Sequence, residues 1–389
     1  MSEPSPTRRL APPPDRVSIA ALTLRDLRNH AALEAAFDAP LIVLTGENGA
    51  GKTNLLESIS LLAPGRGLRR AAFDDITRHG AGHGWAVGAT ILRNGEEARV
   101  ATGLLDGAPG EGGARKVRVN GAPAATADIL FDYIRVLWLT PTMDGLFLGP
   151  ASERRRFLDR LVLTLDATHG RRARDFERLL TQRNRLLDEG GTAAWLDAVE
   201  AQLAGYAVAL ALARAETAAL LSARMAGAGA TSFPVGSIAL AGEFDAAIAG
   251  RKASEVEIWY RGALAANRAT DRAAARTLLG PHRSDVDVVL AEKNMAAALS
   301  STGEQKALLI GLVLSHAELV AQIAGMVPVL LLDEVAAHLD PQRRSVLFSR
   351  LAALGAQVFM TGADPALFGD VPAGAVRYRV AASRLDMLE

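Results

Sequence analysis

Eight residues near position 50 are arranged for phosphate chemistry. Gly46-Glu47-Asn48-Gly49-Ala50-Gly51-Lys52-Thr53 reads G-x-x-x-x-G-K-T. Its glycines let backbone N–H groups crowd around a phosphate, and a helix starting at the lysine adds the partial positive charge of its N-terminus. In that arrangement Lys52 reaches the β- and γ-phosphates of a nucleotide, and the Thr53 hydroxyl ligates Mg²⁺. Two acids far downstream supply the rest of a triphosphatase site. Asp333 would hold Mg²⁺ through water and Glu334 would polarise the attacking water. A third stretch, Ser301-Thr302-Gly303-Glu304-Gln305-Lys306, offers a hydroxyl at a new helix N-terminus, which suits a terminal phosphate.

These residues need elements to hold them. Leu41-Ile42-Val43-Leu44 leads into the glycine loop as a buried strand, and Leu55, Leu56, Ile59 and Leu62 follow at helical spacing. Val329-Leu330-Leu331-Leu332, directly before Asp333-Glu334, is a continuous apolar run of the kind found in a parallel strand covered on both faces. Gln357-Val358-Phe359-Met360 is expected as one more strand of that sheet. Ser301 opens a helix with Leu308, Leu309, Leu312 and Leu319 on one face, and S-x-x-E there also reads as a capping box. The wide separation of the two halves of the site implies a head domain split in sequence by an insertion.

The rest of the chain fits that plan. Val17–Leu24 alternates as a half-buried strand, with a turn over Arg25–His30. Gly84–Leu105 carries a hairpin around Asn94-Gly95, and Arg115–Asn120 ends in the tight turn Asn120-Gly121. Tyr133–Leu139 reads as a buried strand. From Ser152 to about Arg276 helical spacing takes over. There Leu196, Val199, Leu203, Tyr206, Leu210, Ala213, Thr217 and Leu220 form a coiled-coil-like seam, broken further on by Gly227, Gly229, Pro234 and Gly236. Trp195, Trp259 and Tyr260 are expected to pack at the ends of this lobe. The expected organisation is a disordered tail over 1–15, the first part of the head over 16–150, a helical arm lobe over 151–277 and the second part of the head over 278–389.

Composition narrows the function classes. The 389 residues balance 43 Lys and Arg against 43 Asp and Glu, so a nucleic-acid surface must be local rather than global. The absence of cysteine excludes disulfides and Cys-ligated metals and suits the cytoplasm. No long uncharged apolar run predicts a membrane span.

Ser301–Lys306 resembles the signature motif of the ABC-type ATPases in the variant of the SMC and RecF relatives. In that family the signature serine of one head contacts the γ-phosphate held by another, and Ala337-His338-Leu339-Asp340 matches the loop along the seam between heads. The resemblance narrows to the RecF family at Leu146–Asp159 (LFLGPASERRRFLD), at Gly280-Pro281-His282-Arg283 and at Leu331–Asp340. It implies an α/β ABC-type head, with a mixed central sheet, an antiparallel β subdomain and an inserted helical arm. It also implies an ATP-dependent homodimer that binds duplex and gapped DNA in recombinational repair, hydrolyses ATP slowly and works with RecO and RecR. An SMC-like chromosome-organising ATPase and the ATPase subunit of a transporter are the rivals; the short, interrupted arm disfavours the first, and the long insertion with its arm motif disfavours the second.

Some positions depart from the family pattern. Thr142, with Asp144 beyond it, follows Pro141 where an acid is usual, and Thr361 stands where ABC ATPases carry a histidine, leaving it a weak polar role. Leu27-Arg28-Asn29-His30 lacks the aromatic expected at its start, while Arg28 and Asn29 remain nucleotide contacts. Candidate DNA contacts are the arginine clusters Arg66, Arg69, Arg70 and Arg154, Arg155, which can grip phosphates without reading bases.

Overall fold

The computed structural model describes residues 13–104, 114–227, 233–381 and 384–388. Residues 1–12 of the expected tail, Leu105 and Gly229 lie outside the described residues. Asp15, also assigned to the tail, is instead tied to the head: its N–H and C=O bond Gly325 O and Val327 N at 2.8 and 2.9 Å.

The N-terminal part of the head is built from β1 (Val17–Leu27), β2 (His30–Ala36), β3 (Leu41–Thr45), α1 (Lys52–Ser60), β4 (Ala86–Arg93), β5 (Glu96–Gly103), β6 (Lys116–Val119), β7 (Ala122–Pro123) and β8 (Val136–Leu139). The inserted lobe follows: α2 (Ala151–Leu165), α3 (His169–Asp188), α4 (Ala193–Gly227), β9 (Gly236–Ala241), α5 (Glu243–Ile248), α6 (Ala253–Ala266) and α7 (Arg268–Ala273). The chain then returns through β10 (Asp285–Leu290), β11 (Met295–Ala296), α8 (Thr302–Ala324), β12 (Val329–Leu332), α9 (Pro341–Leu354), β13 (Val358–Gly362), β14 (Val376–Ala381) and β15 (Arg384–Leu388).

The central sheet has the order β15-β14-β3-β13-β12-β8. Its strands from β14 to β8 run parallel, and β15 pairs antiparallel to β14. Both faces are covered, which is why β3 and β12 are apolar throughout rather than alternating. Ile42, Leu44, Leu331 and Phe359 face α1 and the antiparallel sheet β2-β1-β4-β5-β6-β7. Leu41, Val43, Leu330, Leu332 and Met360 face α2, α8 and α9. Helix α8 is long and apolar enough to cross a bilayer by length and composition, but most of that surface is spent inside the core.

Three local expectations change. Arg25–Leu27 belong to β1, and the turn is confined to Arg28 and Asn29, where Leu27 pairs with His30 to start β2. Trp195 is 66% exposed rather than packed, whereas Tyr260 is fully buried. The α4 seam holds through Thr217, with Tyr206 and Ala213 half-buried. Beyond it the stripe slips onto Ala218, Leu221 and Met225, leaving Leu220 36% exposed. An unsupercoiled helix drifts about 20° per heptad, so over 35 residues a strict seven-residue stripe rotates off the contact face. The helical stretch also contains β9, which pairs antiparallel with β10 across the lobe and the head.

At this junction Asp159 accepts from Arg214 Nε and Nη2 at 2.7 and 2.8 Å, and sits 2.8 Å from His169 Nε2. Burial alone would push the Asp159 carboxyl up. The His169 and Arg214 contacts outweigh it and hold the group at about 2. A carboxyl below its unfolded value of about 3.9 stabilises the fold above that pH and loses its contribution as pH falls toward the folded value. The urea midpoints of wild type and Asp159→Asn should therefore differ most near neutrality and converge between about pH 4 and pH 2.

Candidate active site

The glycine loop leaves the C-terminal end of β3, between β13 and β14. Two glycines are required by close approach. A Cβ on Gly46, at φ 147°, would lie 2.5 Å from Val380 O, and one on Gly51, at φ 108°, would lie 2.7 Å from Asn29 Nδ2. Among the described residues no side chain caps the N-terminus of α1, so its first N–H groups point into the loop free to receive a phosphate. Lys52 Nζ donates to Gly46 O at 2.7 Å and Glu47 O at 3.0 Å, bracing the loop that it would share with β- and γ-phosphates. Asn48, Gly49 and Ala50 complete the turn.

The acids predicted from the sequence stand beside this loop. β12 lies between β13 and β8, and Asp333 N bonds Leu139 O at 2.9 Å. Thr53 Oγ1 donates between the two Asp333 oxygens, at 3.0 and 3.1 Å. A hydroxyl and a carboxylate converging in this way are hard oxygen donors, the set Mg²⁺ takes when nucleotide phosphates and water supply the other ligands. The residues therefore fit a Mg²⁺ site held by Thr53 and Asp333. Glu334 adopts a left-handed backbone, φ 53° and ψ 23°. For a non-glycine residue that costs about 1–2 kcal/mol and must be enforced by its surroundings. Thr361 provides the enforcement: its hydroxyl accepts from Glu334 N at 3.0 Å and donates to Asp333 Oδ1 at 2.7 Å. Sequence spacing gave Thr361 only a weak polar role, because nothing local to it signals contact with residues 333 and 334.

Ser301 is the N-cap of α8 in a reciprocal capping box. Glu304 N donates to Ser301 Oγ at 3.3 Å, and Ser301 N donates to Glu304 Oε2 at 3.0 Å. Ser301, Thr302 and Gly303 are exposed, and a Cβ on Gly303 would meet nothing, so the chain's own fold does not require that glycine. Lys306 reaches Asp144, in the turn that follows β8, at 3.0 Å. Since β8 runs parallel to β12 and ends beside Asp333, this pair draws the start of α8 to the edge of the sheet that carries the phosphate loop. The two members are 162 residues apart, so no local pattern announces the pair.

Arg28 and Asn29 lie against α1. Arg28 grips the fully buried Glu57 with two N–H groups at 2.7 and 2.9 Å and donates to Asp75 O at 2.6 Å. The bond to Glu57 raises the Arg28 pKa further. Arg69 Nη1 donates to the same carboxylate at 2.7 Å, sharing Oε2 with Arg28 Nε. Asn54 Nδ2 donates to Asn29 Oδ1 at 2.6 Å, beneath the loop. Glu57→Ala should lower stability by about 1–3 kcal/mol, since two partly exposed arginines lose a desolvated partner but can rehydrate. Chemical denaturation measures this, and an unchanged midpoint would mean the cluster is energetically idle.

The candidate DNA arginines divide. Arg66 and Arg70 project to solvent, with Arg70 54% exposed and 4.0 Å from Glu153. Arg69 is partly spent on Glu57. Arg154 is bound to Asp285 at 2.7 and 2.8 Å, and Arg155 to Ser284 O at 2.6 Å, so both tie α2 to the approach to β10. Arg154, which also donates to Phe147 O and Gly149 O, has little hydrogen-bonding capacity left, whereas Arg155 spends one donor on Ser284 O.

The family described as RecF/RecN/SMC N terminal domain matches residues 18–379. A protein of Rhizobium johnstonii named DNA replication and repair protein RecF is 51% identical over 374 residues, covering 96% of this chain and 99% of its own. One of the same name from Rhizobium meliloti is 53% identical over 357 residues, covering 91% and 95%. Among solved structures, the recombination mediator protein RecF-ATP of the RecFOR pathway superposes with a TM-score of 0.80 at 21% identity, covering 96% of this chain and all of that one. An Smc head domain of Pyrococcus furiosus superposes with 0.53 at 14% identity, covering 96% of each chain. At such low identity the two structures speak for the fold, an ABC-type ATPase head with an inserted lobe. The match of the family over nearly all of the described head, and identity above one half to its members, make this chain a member of the RecF family.

Proposed function

We propose that this chain is an ATP-driven, DNA-binding switch of replication and recombinational repair, working in the cytoplasm. Residues 16–150 and 278–389 serve as its head and 151–277 as its arm. Lys52, the loop N–H groups and Thr53 bind ATP·Mg²⁺ with Asp333. When bound, the metal ion neutralises charge developing on the γ-phosphate. Glu334 orients and polarises the attacking water. Two heads close on one another, Ser301 and Gly303 of each capping the nucleotide of its partner. The closed dimer grips duplex DNA near gaps without reading sequence, and RecO and RecR act with it. Hydrolysis removes the phosphate that links the heads and so opens the clamp.

The observation that carries this reading is the exposed Ser301-Thr302-Gly303 turn. It is a preformed helix N-terminus at the nucleotide edge of the sheet, with a glycine that nothing within the chain demands. Sedimentation of the purified protein with gapped duplex DNA tests it. ATP should produce a dimer and ADP should not, and Ser301→Arg should abolish the dimer while leaving ATP binding to the monomer intact. A wild-type protein that stays monomeric with ATP and DNA would overturn the reading.

The exposed arginines carry a separate expectation. Arg66→Ala/Arg70→Ala should weaken DNA binding and lower the steepness of log affinity against log salt by about 1–2. Arg154→Ala should instead act mainly on stability. An unchanged salt slope in the double variant would place the DNA elsewhere.

A further inference from the structure

We propose that Thr361 is the positioning residue for both acids of the ATPase site, acting through one hydroxyl and without touching the nucleotide. The inference rests on the roles assigned above to Asp333 and Glu334.

Register puts Thr361 in place. Leu332 pairs with Met360 in β12–β13, so Thr361 lies alongside Asp333 as the chain leaves the strand. On its other side Thr361 pairs with Leu44 in β3, directly before the phosphate loop. It therefore stands between the strand that delivers the acids and the strand that delivers the glycines. Thr361 is 1% exposed, so water cannot take over its bonds.

A hydroxyl has one proton to give and lone pairs to accept with. Here both uses are taken. The Glu334 N–H donates to Thr361 Oγ1 at 3.0 Å, and Thr361 Oγ1 donates to Asp333 Oδ1 at 2.7 Å. All the bonds run one way, from Glu334 to Thr361 to Asp333, an arrangement in which each bond polarises the next. The first holds Glu334 in its left-handed backbone, which aims the side chain. The second fixes one Asp333 oxygen. Thr53 also donates to Asp333, but its oxygen is the one that must turn to Mg²⁺. Thr361 would need no such turn, so its bond to Asp333 could persist when Mg²⁺ is bound. Its committed proton and its burial leave nothing to offer a γ-phosphate.

Thr361→Ala and Thr361→Ser form the test, because the two side chains have nearly equal volume and differ in the hydroxyl. Thr361→Ala should lower kcat by about 10–100-fold, the cost of a small misplacement of reacting groups. Its affinity for a fluorescent ATP analogue in EDTA should stay within about 2-fold, while the Mg²⁺ concentration that half-saturates the metal-dependent fluorescence change should rise by about 3–10-fold. Thr361→Ser should restore both readouts to within about 3-fold, the remainder reflecting the stiffness that the β-methyl gives χ1. If Thr361→Ala does not fold, the isosteric Thr361→Val takes its place in the same comparison. Equal behaviour of the Ala and Ser variants, or wild-type turnover and Mg²⁺ dependence in Thr361→Ala, would overturn the inference. Glu334→Gln separates the levels. If it is inactive while Thr361→Ala is normal, only the role of Thr361 falls; if it is active, the role of Glu334 falls, and the Mg²⁺ readout of Thr361→Ala alone decides whether Thr361 positions Asp333.

Discussion

Glu334→Gln should reduce steady-state ATP hydrolysis by roughly 10²–10⁴-fold, the usual worth of a positioned general base. ATP binding should persist. The amide keeps the shape of the side chain, and the backbone N–H still bonds Thr361, so the left-handed turn survives. What is lost is an oxygen basic enough to polarise water. Because the γ-phosphate then stays in place, the variant should accumulate as an ATP-dependent dimer on gapped DNA, with dissociation slowed in proportion to the loss of turnover. Light scattering and filter binding read the two consequences separately. A variant that dimerises with ATP no better than wild type would refute the clamp, and one that still turns over would refute Glu334 as the base.

The largest stability effect is expected inside the arm lobe. Arg183 is fully buried and uses its whole guanidinium: Glu200 at 2.9 Å, Asp271 at 2.7 Å, Thr277 Oγ1 at 2.7 Å and Leu264 O at 2.8 Å. Arg268 also neutralises Glu200, so Asp271 is the acid that depends on Arg183. Arg183→Met fills a similar volume but strands a carboxylate in the core. Removing one partner of a buried pair costs about 3–5 kcal/mol. For a protein of this size that is a fall in Tm of about 4–6 °C. Arg183→Lys should not rescue it, since an ammonium cannot span four acceptors spread around a planar fork. Differential scanning calorimetry gives the shift. A fall of less than about 2 °C in Arg183→Met would show that Asp271 does not depend on Arg183 for a partner.

The site was readable where its chemistry is local. The strand, glycine loop and helix over 41–60 are one continuous stretch, and so are β12 with its two acids and the capping box at Ser301. The resemblance to a known family then joined these pieces across the insertion. What could not be read depends on partners distant in sequence. Nothing around Thr361 announces that its hydroxyl meets Asp333, nor around Arg154 that Asp285 lies opposite. β2 and the hairpin β14–β15 went unread because short strands owe their existence to neighbours more than to alternation. The slipped stripe on α4 is a different failure. A seven-residue pattern and an eleven-residue one agree over three turns and part only on a long helix, and Leu220 against Leu221 is where they part.

The strand order of the central sheet bears on how the chain is made. β3 emerges early from the ribosome, yet its two sheet neighbours, β13 and β14, are among the last segments synthesised. Until they arrive, an apolar strand and the glycine loop behind it have no edge to pair with. At about 5–20 residues per second that wait is of the order of half a minute. The lobe between them, closed by contacts among α3, α4 and α6, can meanwhile condense by itself. A nascent chain of this topology therefore leaves an apolar strand unpaired for most of translation, and nucleotide can seat itself only on a finished molecule.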